Sequence, residues 1–495
     1  MKKALLSITS LLFLLSGSLH ASETRVDSFG GLTLVVTDES DAINPFTLGN
    51  PAGLALIDPQ TRFDAEGSWV KEVINYQNNG NNVMFTGHDY GAMDEFGGDT
   101  VKYHGLIAFP TDRWAIQVDG DTLHNDEFNT ANDAGDVNSV ERTRELFRTA
   151  YNFGPFVLGA EVQPIQENES FIPGPIPNGP QLLSGNGTIN TILGNFGLLA
   201  SLLGDPSPKK EQLEIGGIFS TQLNPLLETD NFSKLTTSFL QQYNETDTIQ
   251  ETSSIAGGPE IYYRIPGVFE AALIGLTGQE SFSLAINYFG FLPDQATFNV
   301  ENADQTVGLA VFKMTNPISS SLNLKSGTLF SLTSQNNHFL NPSAAPVSNV
   351  TGTTWTAEFG LGLEHPQDFT MGFQGEATGI NDTQDDPVTT IGTTNYFSYK
   401  VSFGGERWLS PFWAIRMGII YENDLNTGNQ DVPLFFYTVG PDSRIISTTI
   451  TAGVGYQDAR FKLDLGLLAG QPSQDNSSNF GTQYGAQLAA GIFFN

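Results

Sequence analysis

A period-two alternation of apolar residues with small or polar residues recurs through most of this 495-residue chain. In residues 355–364, for example, Trp355, Phe359 and Leu361 alternate with Glu358, Gly360 and similar residues. Strands of soluble domains show the same alternation but average about five or six residues. The runs here extend over about nine to twelve residues, which is the length that crosses a bilayer at a tilt. The alternation therefore favours a wall between lipid and water over a soluble sandwich.

Tight turns join these strands in pairs. They are predicted at 111–112, 152–155, 265–267, 364–368 and 457–458. Between the pairs we expect outer loops of roughly twelve to forty-odd residues, because outer-membrane barrels combine short turns at one end with long loops at the other. The sequence predicts an all-β fold, a transmembrane antiparallel β-barrel of about 14–18 strands.

The carboxyl-terminal run is one such strand. Tyr484, Leu488 and Ile492 alternate with glycine, glutamine or alanine, and Asn495 follows the last aromatic residue, Phe494. We expect this run to be the closing strand of the barrel, with Asn495 as an overhang.

The amino terminus has the pattern of a signal peptide. Lys2 and Lys3 precede an apolar run over residues 4–15, and a cleavage site of the A-x-A type ends at Ala21. No later run reaches the roughly 18 apolar residues of a spanning helix. We predict a signal peptide over 1–21 and localisation in the bacterial outer membrane, with the mature chain starting at Ser22.

Composition excludes several classes of function. Without cysteine, the chain forms no disulfides, thiolate metal sites or cysteine nucleophiles. Its formal net charge of −32 argues against binding nucleic acid through a general basic field. The acidic residues are expected in solvated loops, where divalent cations bridge them to lipopolysaccharide. The expected surroundings are outer-membrane lipid and lipopolysaccharide.

Residues 22–60 do not have the pattern of a barrel hairpin. Gly30 and Gly31 lead through the acidic stretch 38–42 to Asn50, Pro51, Ala52, Gly53 and Leu54. This opening resembles that of the FadL-like outer-membrane transporters of hydrophobic compounds such as long-chain fatty acids, and of the related PorV-type barrels. An insert at 44–49 departs from the family pattern.

The resemblance implies that 22–60 form a hatch, or plug, inside a barrel of residues 61–495. It also implies that Asn50, Pro51, Ala52, Gly53 and Leu54 lie on the substrate path. The alternative for these five residues is a surface turn without a ligand role.

A predicted loop over about 165–210 contains an apolar stripe at helical spacing. Its members are Ile189, Ile192, Leu193, Phe196, Leu199 and Leu203. We expect one helical extracellular loop here, and the resemblance implies that its apolar face captures substrate. A structural lid or an oligomer contact is the alternative.

A second predicted loop concentrates acidic residues between Asp119 and Glu141. It could bind calcium, although it lacks the EF-hand spacing, and a solvated acidic loop explains it as well. The histidines are scattered and no HExxH or GxSxG motif occurs, so we predict that the protein is not an enzyme.

These observations predict a passive outer-membrane channel for small hydrophobic molecules, either fatty acids or aromatic hydrocarbons, that needs no cofactor. Two alternatives are a PorV-type structural partner of secretion machinery and a general porin. An inward-facing ring of Lys and Arg opposite Asp and Glu would favour the porin.

Overall fold

A computed structural model describes the barrel strands and part of the segment before them. The described residues are 30, 32, 34–35, 50–56, 61–75, 93–108, 113–129, 136–172, 181–203, 210–235, 242–289, 295–340, 348–365, 368–385, 392–429, 443–474 and 481–494. The predicted signal peptide, the turn at 111–112, the acidic stretch 38–42, the insert 44–49 and Asn495 lie outside these residues.

The described residues form one short 3-10 helix and eighteen β-strands. The 3-10 helix is Pro51–Leu56, and the strands are β1 Thr61–Asn75, β2 Met93–Ala108, β3 Trp114–Asn129, β4 Asp136–Asn152, β5 Phe156–Ile172, β6 Gln181–Ser201, β7 Gln212–Leu235, β8 Gln242–Ile265, β9 Phe269–Phe289, β10 Gln295–Ser319, β11 Leu322–Leu340, β12 Ser348–His365, β13 Phe369–Asp385, β14 Gly392–Trp408, β15 Trp413–Asn429, β16 Ser443–Gln457, β17 Phe461–Gln474 and β18 Gly481–Phe494. Eighteen strands is the upper end of the predicted range.

The sheet closes on itself. Each strand pairs antiparallel with its neighbours in sequence, and β1 pairs with both β2 and β18. At the seam Phe63 lies opposite Ile492, and the rings of Trp69 and Tyr484 meet edge to face with centroids 5.5 Å apart. Closure leaves no free sheet edge, as a membrane-spanning sheet requires.

The two faces of the wall differ in polarity. Phe403, Met417 and Leu467 point outward with 57%, 65% and 54% exposure, whereas Arg416 and Asp464, on the opposite faces of their strands, are buried. An apolar outside with a polar inside is the arrangement of a transmembrane β-barrel, which confirms the predicted fold.

The structure holds no helix, among the residues it describes, that is long and apolar enough to cross a membrane.

Three short turns lie where they were predicted, and the structure describes both ends of a fourth, between β12 and β13. They join β4 to β5, β8 to β9, β12 to β13 and β16 to β17. Gly154 and Gly267 occupy two of them with φ of 101° and 70°, a backbone region that favours glycine.

The opposite end of the barrel differs from the prediction. Connections of twelve to forty-odd residues were expected there, but only 76–92 and 430–442 fall in that range and the others are shorter. Residues that were expected in loops belong to the strands instead, which run from 14 residues in β17 to 25 in β10. A bilayer needs about 9–11 residues per strand, so the sheet continues beyond the membrane.

The predicted helical loop was wrong. Residues 189–201 belong to β6, which pairs with β5 and β7 along its length. Ile189, Leu193 and Leu199 are buried on the inner face, whereas Phe196 faces outward and Leu203 is exposed in the following turn. Ile192 is half-buried on the outward side. The four glycines and several β-branched residues of β6 lower its helix propensity, and the neighbouring strands supply the backbone hydrogen bonds.

The predicted acidic loop was also wrong. Asp119 lies in β3 and Glu141 in β4, and the two strands pair from Trp114 to Asn129. Among the described residues, no group of three or more His, Asp or Glu side chains is placed to hold a metal ion. Pairing of the two strands, rather than the clustering of carboxylates in the sequence, decides the structure here.

Candidate functional site

The 3-10 helix Pro51–Leu56 begins with a local cap. The Asn50 side-chain oxygen accepts a hydrogen bond from the Ala52 backbone N–H at 2.8 Å, and the Asn50 carbonyl accepts one from Gly53 at 3.0 Å. Asparagine suits this capping position, and proline suits the first helical position because its missing N–H would have no intrahelical partner. The Asn-Pro-Ala-Gly order thus produces a compact turn.

This turn packs against the inner face of the barrel wall. Leu54 contacts Ala115 of β3 and Ala150 of β4, and Ala52 lies with Val157 of β5 and Leu199 of β6. Asn50, Ala52 and Leu54 are at most 1% exposed. The five predicted path residues therefore lie together inside the barrel rather than on its surface, and their role in substrate passage stays a prediction.

Two glycines make this close approach possible. Gly159 and Gly197 lie opposite each other on β5 and β6. A Cβ at Gly159 would overlap the backbone of Pro51 and Ala52, and a Cβ at Gly197 would overlap the Asn50 side chain. We call the inner wall around these two glycines the glycine seat.

A polar contact joins the turn to a more distant strand. The Asn50 side-chain amide donates a hydrogen bond to Oε1 of Glu260 in β8. Glu260 is 3% exposed, so this contact lies within the filled part of the lumen. One asparagine therefore caps the turn with its oxygen and binds the wall with its nitrogen.

Residues nearer the amino terminus contact the opposite side of the barrel. The Leu34 N–H donates to Oε1 of Gln374 at 2.9 Å, and the Gln374 amide donates to Oε2 of Glu358 at 3.1 Å. Val35 lies close to Gly362 and Gly372 of β12 and β13.

Gly30, with φ of 86°, lies against the backbone of Gly418 in β15. The described residues between 30 and 56 therefore touch β3–β6, β8 and β11–β15. They bridge opposite sides of the lumen, and we call these described residues the plug. That they close the channel, and the predicted bounds 22–60, stay predictions.

Among the described residues, the largest buried apolar cluster lies on the inner face beside the Glu260 contact. We call it the lumen patch, and it includes Ile218, Ala256, Ile274, Leu276, Val307 and Val311 from β7, β8, β9 and β10. Apolar residues on the inside of a wide barrel are unusual, because barrel interiors are generally polar. The residues of the patch are at most 6% exposed, so they pack against one another as a core inside the barrel.

Charged side chains elsewhere on the inner wall are paired. Arg416 donates to Glu406 Oε2 at 2.7 Å and to Asp464 Oδ1 at 2.6 Å, which links β14, β15 and β17. Arg148 binds Glu161, and Glu161 also accepts a hydrogen bond from Asn195. These contacts pair the buried charges with groups on other strands of the wall, as expected for buried ions.

A groove lies on the membrane-facing side of the wall at the glycine seat. Its volume is about 780 Å³, and outward-facing Trp114, Tyr151, Leu158, Phe196 and Phe219 line it together with glycines of the wall. At Gly159 and Gly197 only the strand backbone separates the groove from the plug.

Sequence reasoning found the plug turn but missed its partners. No local motif marks these partners, which are Glu260, Gln374 and Gly197. Each one matters because it contacts a plug residue that is remote in the chain. The weak signal available was glycine on the non-aromatic face of a strand, which relieves crowding wherever another backbone approaches.

No family model and no curated protein matches the chain. Solved structures similar to it include the CymD monoaromatic hydrocarbon channel, at 12% identity and TM-score 0.34, with 95% of this chain and 97% of that chain covered. A Pseudomonas aeruginosa FadL homologue is similar at 12% identity and TM-score 0.37, with coverages of 94% and 96%.

The ferric yersiniabactin uptake receptor FyuA from Yersinia pestis is similar at 10% identity and TM-score 0.44, with 88% of this chain and 80% of that chain covered. Likenesses of this size say nothing about function. The strand pairing described above establishes the barrel.

Proposed function

We propose that this protein is an outer-membrane channel for the passive uptake of small hydrophobic molecules. The observation that carries the proposal is the position of the plug between the glycine seat and the lumen patch. An eighteen-stranded barrel would otherwise leave a wide aqueous channel, so a plug beside an apolar inner face favours selective passage of apolar solutes.

The paired inner charges disfavour a general porin. Lys325 binds Glu364 at 2.7 Å, and Arg148 and Arg416 are each bound to carboxylates, so these cations do not form an open ring. Nothing in the described residues favours the PorV-type alternative. Passage needs no energy source, because a concentration gradient suffices.

The route in this proposal passes the lumen patch and the plug turn. The membrane-facing groove at the glycine seat offers an exit through the wall, since only backbone separates it from the plug. Ligand capture by an outer helix is not part of the route, because residues 189–201 are a strand.

Uptake of radiolabelled toluene and 1-octanol by cells that express the protein tests the proposal. Intact lipopolysaccharide slows such solutes, so the wild-type protein should raise uptake above that of cells with an empty vector. Deletion of residues 30–56 should abolish the selectivity for apolar solutes and admit polar solutes of similar size. Uptake no faster than in empty-vector cells would contradict the proposal.

A further inference from the structure

The groove on the membrane-facing side of the wall exists because small outward-facing residues lie among large ones. Thr149 and Ala160 lie opposite each other on β4 and β5. Gly217 lies between Ile215 and Phe219 on β7, which point outward with 44% and 46% exposure. Small side chains beside large ones leave a depression of about 780 Å³ that crosses β3–β7 on the outside of the barrel.

The polar groups inside the groove are already bonded. The Thr149 hydroxyl accepts a hydrogen bond from Nε1 of Trp114 at 2.6 Å and donates one to the Ala115 carbonyl at 3.3 Å. Tyr151 is the remaining polar side chain that lines the groove. The floor around Ala160 therefore offers no hydrogen-bonding side chain to a bound molecule, and it suits a hydrocarbon chain.

The groove lies at the end of the barrel that carries the short turns. Trp114 is the first residue of β3, and Tyr151 is the next-to-last residue of β4. In outer-membrane barrels the short turns face the periplasm, and aromatic residues mark the level of the lipid headgroups. The periplasmic leaflet of an outer membrane consists of glycerophospholipids. The groove is therefore placed at the level where such a lipid joins its headgroup to its acyl chains.

Two exposed cations lie at this end of the barrel, one at each edge of the groove. Arg113 directly precedes β3, and Lys210 lies just before β7. Neither has an ion-pair partner among the described residues. Glu211, next to Lys210, accepts a hydrogen bond from the Tyr263 hydroxyl at 2.7 Å. Basic residues beside a membrane-spanning segment attract anionic headgroups, so the charge at the groove complements a phosphate.

We infer that this groove binds a glycerophospholipid of the periplasmic leaflet, with an acyl chain on the floor around Ala160 and the phosphate at Arg113. A guanidinium group matches the geometry of phosphate oxygens. Lipid tails are as apolar as the wall, so the selectivity comes from close packing in the depression and from the headgroup contact. The inference rests on the membrane location in the proposed function and not on transport.

Native mass spectrometry of the purified full chain in mild detergent tests the inference. The protein is titrated with dioleoyl-phosphatidylglycerol or with dioleoylglycerol, which share their acyl chains and differ in the phosphate headgroup. The wild-type protein should bind a single phosphatidylglycerol, with an affinity about fivefold higher than for dioleoylglycerol, the contribution of one cation near the membrane surface.

Filling the groove should weaken the binding of both lipids. Ala160→Trp covers the floor and removes the close contacts of the acyl chain, so binding should fall severalfold. Ala160→Leu takes its place if the larger variant gives no folded band on unheated gels. Ala452→Trp is the matched control, because Ala452 lies between outward-facing Ile450 and Val454 on β16, outside the groove. It should bind both lipids like the wild type.

Removing the cation should affect the headgroup preference alone. Arg113→Gln should lower the ratio of the two affinities at least about twofold, as expected for an exposed ion pair. Arg460→Gln, which changes an exposed arginine at the same end of the barrel, should leave the ratio unchanged. Equal ratios in Arg113→Gln and Arg460→Gln would overturn the placement of the phosphate.

Equal lipid binding by Ala160→Trp and Ala452→Trp, or no binding by the wild type, would overturn the inference. A dimer that holds no lipid and is lost in Ala160→Trp would assign the groove to a second copy of the chain, with the same consequence. Solute uptake by cells expressing these variants separates the inference from the proposed function. Lipid binding without uptake contradicts the channel alone. Reduced uptake in Ala160→Trp with unchanged lipid binding would make the groove a solute exit and overturn the inference.

Discussion

Asn50 and Glu260 are 210 residues apart in the chain, and the amide of the first donates a hydrogen bond to the carboxylate of the second inside the barrel. The contact joins the plug turn to β8, while the same asparagine caps the turn through Ala52. The shape of the turn and its attachment to the wall therefore depend on one side chain.

Replacement of Asn50 by Ala should loosen the plug. The substitution removes both hydrogen bonds and leaves the buried Glu260 carboxyl group without its donor, at a cost of about 1–3 kcal/mol. Single-channel recordings in planar bilayers should show at least a severalfold higher frequency of opening. Asn381→Ala, at an exposed position of β13, is the matched control and should record like the wild type. Equal opening frequencies in Asn50→Ala and wild type would contradict a role of Asn50 in holding the plug.

Replacement of Gly197 by Ala should displace the plug turn from its seat. The added Cβ would overlap the Asn50 side chain, so the turn or β6 must move. Limited proteolysis should cut the segment before β1 faster than in the wild type. Gly275→Ala is the control, because a Cβ there meets nothing within 4 Å. If proteolysis cuts this segment at the same rate in Gly197→Ala and Gly275→Ala, the plug turn does not require glycine at position 197 to pack against the wall.

Replacement of Arg416 by Met should destabilise the barrel. The substitution removes the guanidinium that binds the buried carboxylates Glu406 and Asp464, and removing one partner of a buried ion pair costs about 3–5 kcal/mol. Urea unfolding in detergent should show a lower midpoint, and the folded band on unheated gels should be lost at a lower temperature.

Arg407→Met provides the control for that measurement. Its side chain is 64% exposed and lies 3.3 Å from Asp368, and exposed pairs contribute at most about 1 kcal/mol. A midpoint in Arg416→Met that is no lower than in Arg407→Met would mean that the buried triad does not stabilise the wall.

Asp458 should make the turn between β16 and β17 sensitive to acid. The backbone N–H of Arg460, then the Tyr456 hydroxyl and the Phe461 N–H, bind its carboxylate and hold its pKa below the usual range. A depressed folded-state pKa gives stability that is complete above the unfolded-state pKa, about 3.9, and is lost as pH falls through the folded-state pKa.

Asp458→Ala should therefore lower the urea midpoint at pH 7, and the difference from wild type should shrink at acidic pH. Asn381→Ala, at an exposed position of β13, removes no carboxylate and should show no such trend. A difference that grows on acidification would have the wrong sign for this carboxylate.

The period-two pattern was sufficient to predict the barrel and the direction of its side chains. Phe359 is exposed and Gly360 is buried, as the alternation at 355–364 required. Strand direction then follows from the tight turns, since each one joins antiparallel neighbours.

The sequence pattern gave a wrong prediction where apolar residues fit both the helical and the strand spacing. Ile189, Leu193 and Phe196 have helical spacing, yet odd positions of the same run face inward and even ones outward. Only the ladders to β5 and β7 decide between the two structures. Contacts such as Leu34 with Gln374 are separated by 340 residues, so local sequence carries no signal for them.

The seam between β1 and β18 has a consequence for the order of assembly. The ring cannot be complete until the last strand, ending at Phe494, has met the first strand at Thr61. The segment with Asn50 and Leu34 precedes β1, and it touches strands on both sides of the finished cylinder. We therefore expect it to be enclosed while the cylinder is still open, so that closing the seam traps it inside rather than requiring it to thread through a finished pore.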